Sequence, residues 1–473
     1  MALSIRRLPS KLACAIALLA AMAMAGCGDD PELVLQIRLP PDDQGLFQAV
    51  TQLNVTASRD DVVLAQESFP PNTSTVSLTG VSHGPRTIIE LEGVDSSNQV
   101  IAFGRTCPLD FEGPNTVAPL YFAPTSFFAP TAGAPAARYH PVGAALSDGT
   151  VVIVGGADRE GTALASVELF APGAATFAPL ADHTIARKRA ESAWLPDVGL
   201  LIVGGQDAAG QLIAGGELFL ESQRQFLTIG DPRLERIGHQ VVTLPDGRAL
   251  VTGGLTGGTT PATATALATA LYIAVMDDGT YKVSPGPMLA EARSGHAATV
   301  AVGTPIVFGG YGAGGVPLDS IEAVDIAYGM SQVIARMQTP RAEATASVLR
   351  DGSILLVGGI GPDGRPLADA ELFNPITRST ERYGLAVARH AHSATVLADG
   401  RVLIAGGSKD EAPSSEDEVP SLEVELFVPG TGFVTERRLG TARADHLAVP
   451  LCDETVLLMG GADGAELYTS AQR

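Results

Sequence analysis

Asp148-Gly149-Thr150-Val151-Val152-Ile153-Val154-Gly155-Gly156 is a turn signal, a run of four apolar residues and a glycine doublet. Variants of this phrase return six more times. The doublets are Gly155-Gly156, Gly204-Gly205, Gly253-Gly254, Gly309-Gly310, Gly358-Gly359, Gly406-Gly407 and Gly460-Gly461, with successive first glycines 49, 49, 56, 49, 48 and 54 residues apart. A period near 50 marks one supersecondary unit repeated, of the length that builds a β-propeller rather than a helical solenoid. An apolar run ahead of each doublet suits a strand buried on both faces. The glycines suit a place where a neighbouring chain comes close. The expected fold is all-β, with seven blades.

Other positions repeat around each doublet. Seven residues before it stands Asp148, Asp197, Asp246, Asp351, Asp399 or Asp453, in six of the repeats. Glycine follows four of these, and Asp-Gly between apolar runs predicts a hairpin closed by a type I′ turn. Seventeen residues before the doublet stands Arg138, Arg187, Arg236, Arg341, Arg389 or Arg443, with Arg293 at sixteen. His239, His296, His392 and His446 each follow their arginine by three. After the doublet comes a Glu-aliphatic-aromatic strand, as in Glu168-Leu169-Phe170, Glu217-Leu218-Phe219, Glu371-Leu372-Phe373, Glu425-Leu426-Phe427 and Glu466-Leu467-Tyr468, with Glu322 in a degenerate copy. Phe177, Phe226, Tyr281 and Phe433 mark a fourth strand. The seventh copy ends just after Leu467-Tyr468 and lacks that strand. The segment Ser126–Pro130 reads as the end of a repeat with no beginning, so it is expected to complete the last blade and close the ring.

These positions resemble the kelch repeat family, most closely its bacterial galactose-oxidase-like branch, over residues 119–473. Kelch repeats usually carry tryptophan on the outer strand; Phe or Tyr stands there here, and Trp194 falls on an expected first strand. The resemblance implies a seven-bladed kelch-type β-propeller. Kelch propellers include binding scaffolds, periplasmic sialic-acid epimerases and sugar oxidases. Galactose oxidase holds copper with two tyrosines and two histidines, one tyrosine being cross-linked to a cysteine. Cys107 precedes the repeats and Cys452 sits at the last first-hairpin turn, so the resemblance does not extend to that copper site.

The seven arginines admit two readings. One is a candidate binding face for an anion at the channel mouth; the other is pairing with the third-strand glutamates as part of each repeat's scaffold. The second is favoured, because a site in a pseudo-symmetric ring is built where copies differ. The four histidines belong to different repeats and are read as packing rather than as metal ligands. Two longer insertions, Leu255–Ala270 and Ser408–Ser421, rise on the same side as the arginines. The second carries Asp410, Glu411, Glu416, Asp417 and Glu418 without the alternation of a calcium loop. The chain contains none of the Gly-x-Ser-x-Gly, His-Glu-x-x-His, P-loop or Cys-x-x-Cys motifs, and no feature calls for a cofactor or metal.

Upstream of the repeats, Arg6, Arg7 and Lys11 precede an apolar stretch ending in Met24-Ala25-Gly26-Cys27. The stretch is too short to span a bilayer and fits a signal segment. Its end resembles the bacterial lipobox, with Cys27 as the lipidated residue and residues 28–32 as a tether. The resemblance implies a lipid-anchored protein of the bacterial cell envelope. Gly28 in place of an inner-membrane retention aspartate favours the outer membrane. Residues 33–118 alternate in short apolar strands with no helical stretch, and are expected to form a small β-sandwich of Ig-like or carboxypeptidase-regulatory-like type. Outside the signal only Cys107 and Cys452 remain, either as a disulfide joining this module to the last repeat or as two separate buried thiols. The formal net charge is -21, and removing the signal's three basic residues makes it more negative still. Such a surface repels phosphate backbones and excludes nucleic acid as a partner class. The reading favoured is a non-catalytic scaffold for a protein or glycan ligand; the alternative is a carbohydrate-active enzyme with its site at the channel mouth.

Overall fold

The structure, a computed structural model, describes residues 33–470 except 42–44, 79, 112–115, 134, 136, 181–184, 259–263, 277–278 and 410–418. The signal segment, Cys27, the tether and the five carboxylates of the second insertion therefore lie outside the described residues.

The repeat region is all-β, with seven four-stranded antiparallel sheets among the described residues. Sheet 1 runs Val142–Ala145, Val151–Val154, Val167–Ala171, Thr176–Pro179, and sheet 2 runs Glu191–Leu195, Gly199–Val203, Gly216–Leu220, Gln225–Ile229. Sheet 3 is Gln240–Thr243, Ala249–Thr252, Ala270–Val275, Tyr281–Pro285, and sheet 4 is Ala297–Ala301, Thr304–Phe308, Ser320–Asp325, Met330–Arg336. Sheet 5 is Thr345–Val348, Ile354–Val357, Asp369–Asn374, Ser379–Gly384, and sheet 6 is Ser393–Val396, Val402–Ala405, Val424–Val428, Gly432–Thr435. Sheet 7 takes Leu447–Pro450, Thr455–Met459 and Ala465–Thr469 from the C-terminal end. Its outer strand is Phe127–Pro130, antiparallel to the last strand with Phe128 opposite Tyr468.

Each second strand is buried on both faces because an apolar layer fills the space between consecutive sheets. Leu201, Val203, Val251 and Ile273 share the layer between sheets 2 and 3. Val151, Ile153 and Phe170 of sheet 1 pack with Leu457, Met459 and Leu467 of sheet 7. The first strands also touch in cyclic order, the seventh returning to the first. This arrangement fits a β-propeller.

The doublets stitch the sheets together. The amide of the second glycine donates to the carbonyl of the arginine that opens the next repeat, from Gly156 to Arg187 through Gly407 to Arg443, at 2.8–3.1 Å. Gly461 donates to Arg138 at 2.9 Å, so the last repeat reaches the first. A Cβ on Gly155 would stand 2.8 Å from the Arg187 carbonyl oxygen, and one on Gly460 would stand 2.7 Å from that of Arg138. Both glycines have positive φ, 62° and 88°. The doublet is fixed by the approach of the neighbouring chain.

The turn expectation needs correcting. In the Asp-Gly hairpins only the glycine has positive φ, 84° at Gly149 and 83° at Gly352, so the turn is not type I′. The aspartate instead accepts hydrogen bonds through its side chain: Asp148 Oδ1 from the Thr150 amide at 3.0 Å, and Asp351 Oδ1 from the Ser353 amide at 2.9 Å. That local bond holds a wider turn without placing aspartate in a left-handed conformation. Two consecutive positive φ angles occur where the aspartate is missing, at Val302-Gly303, 50° and 75°.

Residues 33–124 form two sheets around one apolar core that includes Leu33, Leu35, Leu53, Val55, Leu91 and Phe122. Leu33–Arg38 lies between Thr75–Leu78 and, in parallel, Thr116–Tyr121. The larger sheet carries Val62–Phe69, Gln52–Arg59, Gly84–Val94, Val100–Arg105 and Ala123–Pro124 in that order. Two expectations change. A single helical turn, Leu46–Ala49, interrupts the strands. The boundary placed at 118 falls inside a strand, and the module runs on to Pro124, which pairs with Ala102. Cys107 and Cys452 form a disulfide that ties this module to the first turn of sheet 7. Arg105 supports the same junction by pairing with Glu454 at 2.5 Å.

Candidate functional site

The arginines that open the repeats do not present a binding face. None is more than 2% exposed. Each donates through Nη1 to the carbonyl of the first glycine of its own doublet, at 2.6–3.0 Å in all seven repeats. This bond explains the recurrent 17-residue spacing. The other end of the guanidinium meets a carboxylate: Arg138 with Glu168 at 2.9 Å, Arg187 with Glu217 at 2.9 Å, Arg341 with Glu371 at 3.0 Å, Arg389 with Glu425 at 2.8 Å and Arg443 with Glu466 at 3.1 Å. Arg293 pairs with Glu322 in the same way. Arg236 is the exception, since Leu271 stands where the glutamate would be, opposite Val251. Its guanidinium bonds to the carbonyls of Arg233, Gly253 and Thr269, and burial pulls its pKa down to about 10. A buried charge with excellent hydrogen bonding holds the sheet's third strand and the incoming loop in register.

His239, His296 and His392 are buried and His446 partly so; all four are held neutral, desolvation being the largest cause in each, and for His239 and His446 the pKa falls to about 3. His296, His392 and His446 reach hydroxyls of the preceding sheet: Thr252 at 2.9 Å, Thr345 at 3.0 Å and Ser393 at 2.8 Å. These three join sheets.

What the sequence reading did not single out is the residue two places after each arginine. These seven residues are His140, Arg189, Gly238, Gly295, Glu343, Ala391 and Asp445, and all have left-handed φ between 50° and 59°. Glycine fills the position only twice, although a non-glycine residue there costs of order 1 kcal/mol or more. The tips converge: the His140 amide donates to Asp445 and the Asp445 amide to Ala391, both at 2.9 Å, while Glu343 donates to Gly295 and Gly295 to Gly238, both at 2.7 Å. The first strands are in cyclic contact, and the tips lie at the ends of the sheets that carry the doublets.

The tip side chains make an uneven collar. His140 Nε2 lies 3.3 Å from Asp445 Oδ2, and both are partly exposed. Glu343 Oε2 lies 3.4 Å from His390 Nδ1 and also bonds the Tyr311 hydroxyl, whose proton is held more tightly by burial and by that carboxylate. Burial is the chief reason the His140 pKa is lowered, and its imidazole lies within electrostatic reach of Asp445, Arg189, Glu343 and Lys188. Neither Arg189 nor Lys188 has a carboxylate partner among the described residues. On the first strand of sheet 2, two residues after the Arg189 tip, burial pushes the Glu191 carboxyl up to about 8. The sequence signal for this collar is faint: one variable position amid constant ones, with glycine in two copies and charge in three. Among the described residues no group of three or more His, Cys, Asp and Glu is arranged to hold a metal, and no helix is long and apolar enough to cross a membrane.

No known family's sequence profile matches the chain, and none of the curated proteins compared with it is significantly similar.

Proposed function

We propose that the seven sheets are the blades of a closed kelch-type propeller carried on a small β-sandwich, anchored through an acylated Cys27 to the cell envelope at the outer membrane. In this reading the molecule is a non-catalytic scaffold that binds a protein or glycan at the axial end bearing the collar and the two long insertions. The observation that carries it is the division of labour between repeated and unrepeated charges. The repeated arginines are buried and hydrogen-bonded within the repeats, whereas the charges that differ between copies are partly exposed and gathered at one end. Binding sites in rings of repeats are built from such differences, on loops over a rigid support. The kelch resemblance and the aromatic fourth-strand positions support the family reading.

A second reading, a carbohydrate-active enzyme, is favoured by the kinds of group present: the Glu191 carboxyl of raised pKa and, separately, the partly exposed His140–Asp445 pair are of the types that acid–base chemistry uses. The test is retention of solubilised envelope components and of arrayed glycans on the immobilised protein. Saturable retention that is lost in an Arg189→Ala, Glu343→Ala double variant, with no sugar turned over, is the expected result. Conversion of a free sugar without any partner would replace the scaffold reading with the enzymatic one.

A further inference from the structure

The outer strand of sheet 7 leaves one edge open. Phe127–Pro130 pairs with the last strand, and no other strand pairs with it among the described residues. The Thr131 amide donates to the Ala465 carbonyl at 3.0 Å and continues the same register. Bonded pairs alternate along an antiparallel ladder, so Phe127 and Ala129 bond inward while Phe128 and Pro130 turn their main-chain groups away from the sheet. The Phe128 amide and the Phe128 and Pro130 carbonyls have no partner among the described residues. Phe128 is only 4% exposed. An unpaired amide in such a place needs water or a ligand to complete it.

A groove of about 550 Å³ follows this edge. Phe127 lines it from one face of the strand and Phe128 and Pro130 from the other, which puts the cavity along the free edge itself. Pro40 and Pro124 stand at the Phe127 end, Thr441 and Gly464 at the Pro130 end. The edge between them is about 13 Å long, the length of four extended residues. Charge at the groove is one-sided. Arg437 lies over the Phe127 ring, 4.7 Å from its centroid, and has no carboxylate partner among the described residues. Of the carboxylates that line the groove, Asp463 is paired with Arg159 and Glu466 with Arg443. Glu436 is turned to the Tyr468 hydroxyl and to the Arg437 amide. The chain's overall negative charge is screened beyond about 8 Å at physiological salt, so the nearby guanidinium decides what is attracted.

We propose that this groove binds an extended peptide of a partner protein as a fifth strand of sheet 7, with an acidic side chain of that peptide on Arg437. Main-chain bonds to Phe128 and Pro130 fix the peptide backbone. Pro130 has no N–H, so the edge offers two acceptors and one donor. A residue set opposite Phe127 points its side chain to the Phe127 face, beside Arg437, and that is the place of the acidic residue. The proline and phenylalanine walls suit small apolar residues on either side of it. The site is on the outermost strand, at the opposite edge of the sheet from the first strands that carry the tips. It therefore goes beyond the axial scaffold reading and stands independently of it.

The experiment is fluorescence anisotropy of the full-length protein in detergent with dye-labelled, capped hexapeptides of alternating Val and Thr, one Glu being placed at each position in turn. Each is compared with its Gln and Lys counterparts and with forms N-methylated at alternate amides. At least one Glu peptide is expected to bind saturably, about tenfold or more tighter than its Lys counterpart, and to slow hydrogen exchange at the Phe128 amide. N-methylation is expected to abolish that binding. Arg437→Gln should bring the Glu peptide down to the affinity of the Gln peptide with the thermal midpoint unchanged. Should it lower the midpoint, Arg437→Lys, which keeps the charge, must keep the preference. Absence of binding across the series overturns the assignment, as does equal binding of N-methylated peptides, full preference in Arg437→Gln or its loss in Arg437→Lys. The Arg189→Ala, Glu343→Ala double variant is expected to bind the peptides unchanged; loss there would place them at the collar and overturn the groove. If the peptides fail while envelope components or glycans are still retained, this assignment falls and the scaffold reading stands.

Discussion

Six of the seven repeat arginines bond both a glycine carbonyl and a strand carboxylate, and Arg236 bonds carbonyls alone. The value of the carboxylate bond is best seen by comparing two copies. Arg389→Met leaves Glu425 buried with only the Ala386 amide among the bonds described here, and a stranded buried charge costs roughly 3–5 kcal/mol. Arg236→Met strands no carboxylate and removes bonds to carbonyls alone, with an expected cost of about 1–3 kcal/mol. Urea unfolding of the two variants should preserve that order; equal losses would show that the carboxylate pair adds nothing. Glu191 gives a prediction of a different kind. Its folded pKa of about 8 lies above the ordinary carboxylate value, so the folded chain keeps a proton that the unfolded chain releases. Stability attributable to this residue therefore falls as pH rises from about 4.5 to about 8. Glu191→Gln should be the more stable protein at pH 8, by on the order of a few kcal/mol, and should lose that advantage at pH 4. A pH-independent difference would contradict the burial of this carboxyl.

At the scale of elements, the last sheet is the informative one. Phe128 stacks on Tyr468 with ring centroids 4.7 Å apart, and Phe128 also enters the layer shared with sheet 6. Removing residues 126–130 exposes the last strand's edge and that layer together. The unfolding temperature should drop sharply, and an unchanged melting curve would count against the strand's place. The disulfide acts on the same junction from the other end, closing a sequence separation of 345 residues. Cys107→Ser with Cys452→Ser should lower unfolding free energy by about 2–5 kcal/mol, read from denaturant midpoints under oxidising conditions. No loss would mean that Arg105 and the interleaved strands hold the junction unaided. Strand positions were legible because apolar runs, Asp-containing turns and aromatic positions recur on one period. Turn type was not, because an aspartate that bonds its own loop looks the same in sequence as one that adopts positive φ. The module boundary was missed for a related reason: Thr116–Tyr121 and Ala123–Pro124 carry strand signals without saying which sheet they join.

The whole molecule couples repetition to asymmetry. Seven inter-sheet layers, seven arginine–glycine contacts and seven glycine-to-arginine amide bonds link each sheet to the next and the seventh to the first. The seven tip positions then carry what the repeats leave free. The repeat was legible because the same physical demand, close approach of one strand end to the next repeat, calls for glycine at every copy. The sequence hid the collar because a left-handed tip is tolerated by His, Arg, Glu, Ala and Asp as well as by Gly when the surrounding bonds enforce it. Only the structure shows that those unlike residues hold equivalent tips.

Amide hydrogen exchange at Gly461 tests closure most directly. Its N–H donates across the junction between the last repeat and the first, and the equivalent N–H groups at Gly156, Gly205, Gly254, Gly310, Gly359 and Gly407 bridge ordinary neighbours. A closed ring predicts protection at Gly461 within the range of those six. Exchange at the rate of a free loop there, with the other six protected, would mean that the sheets form an open row.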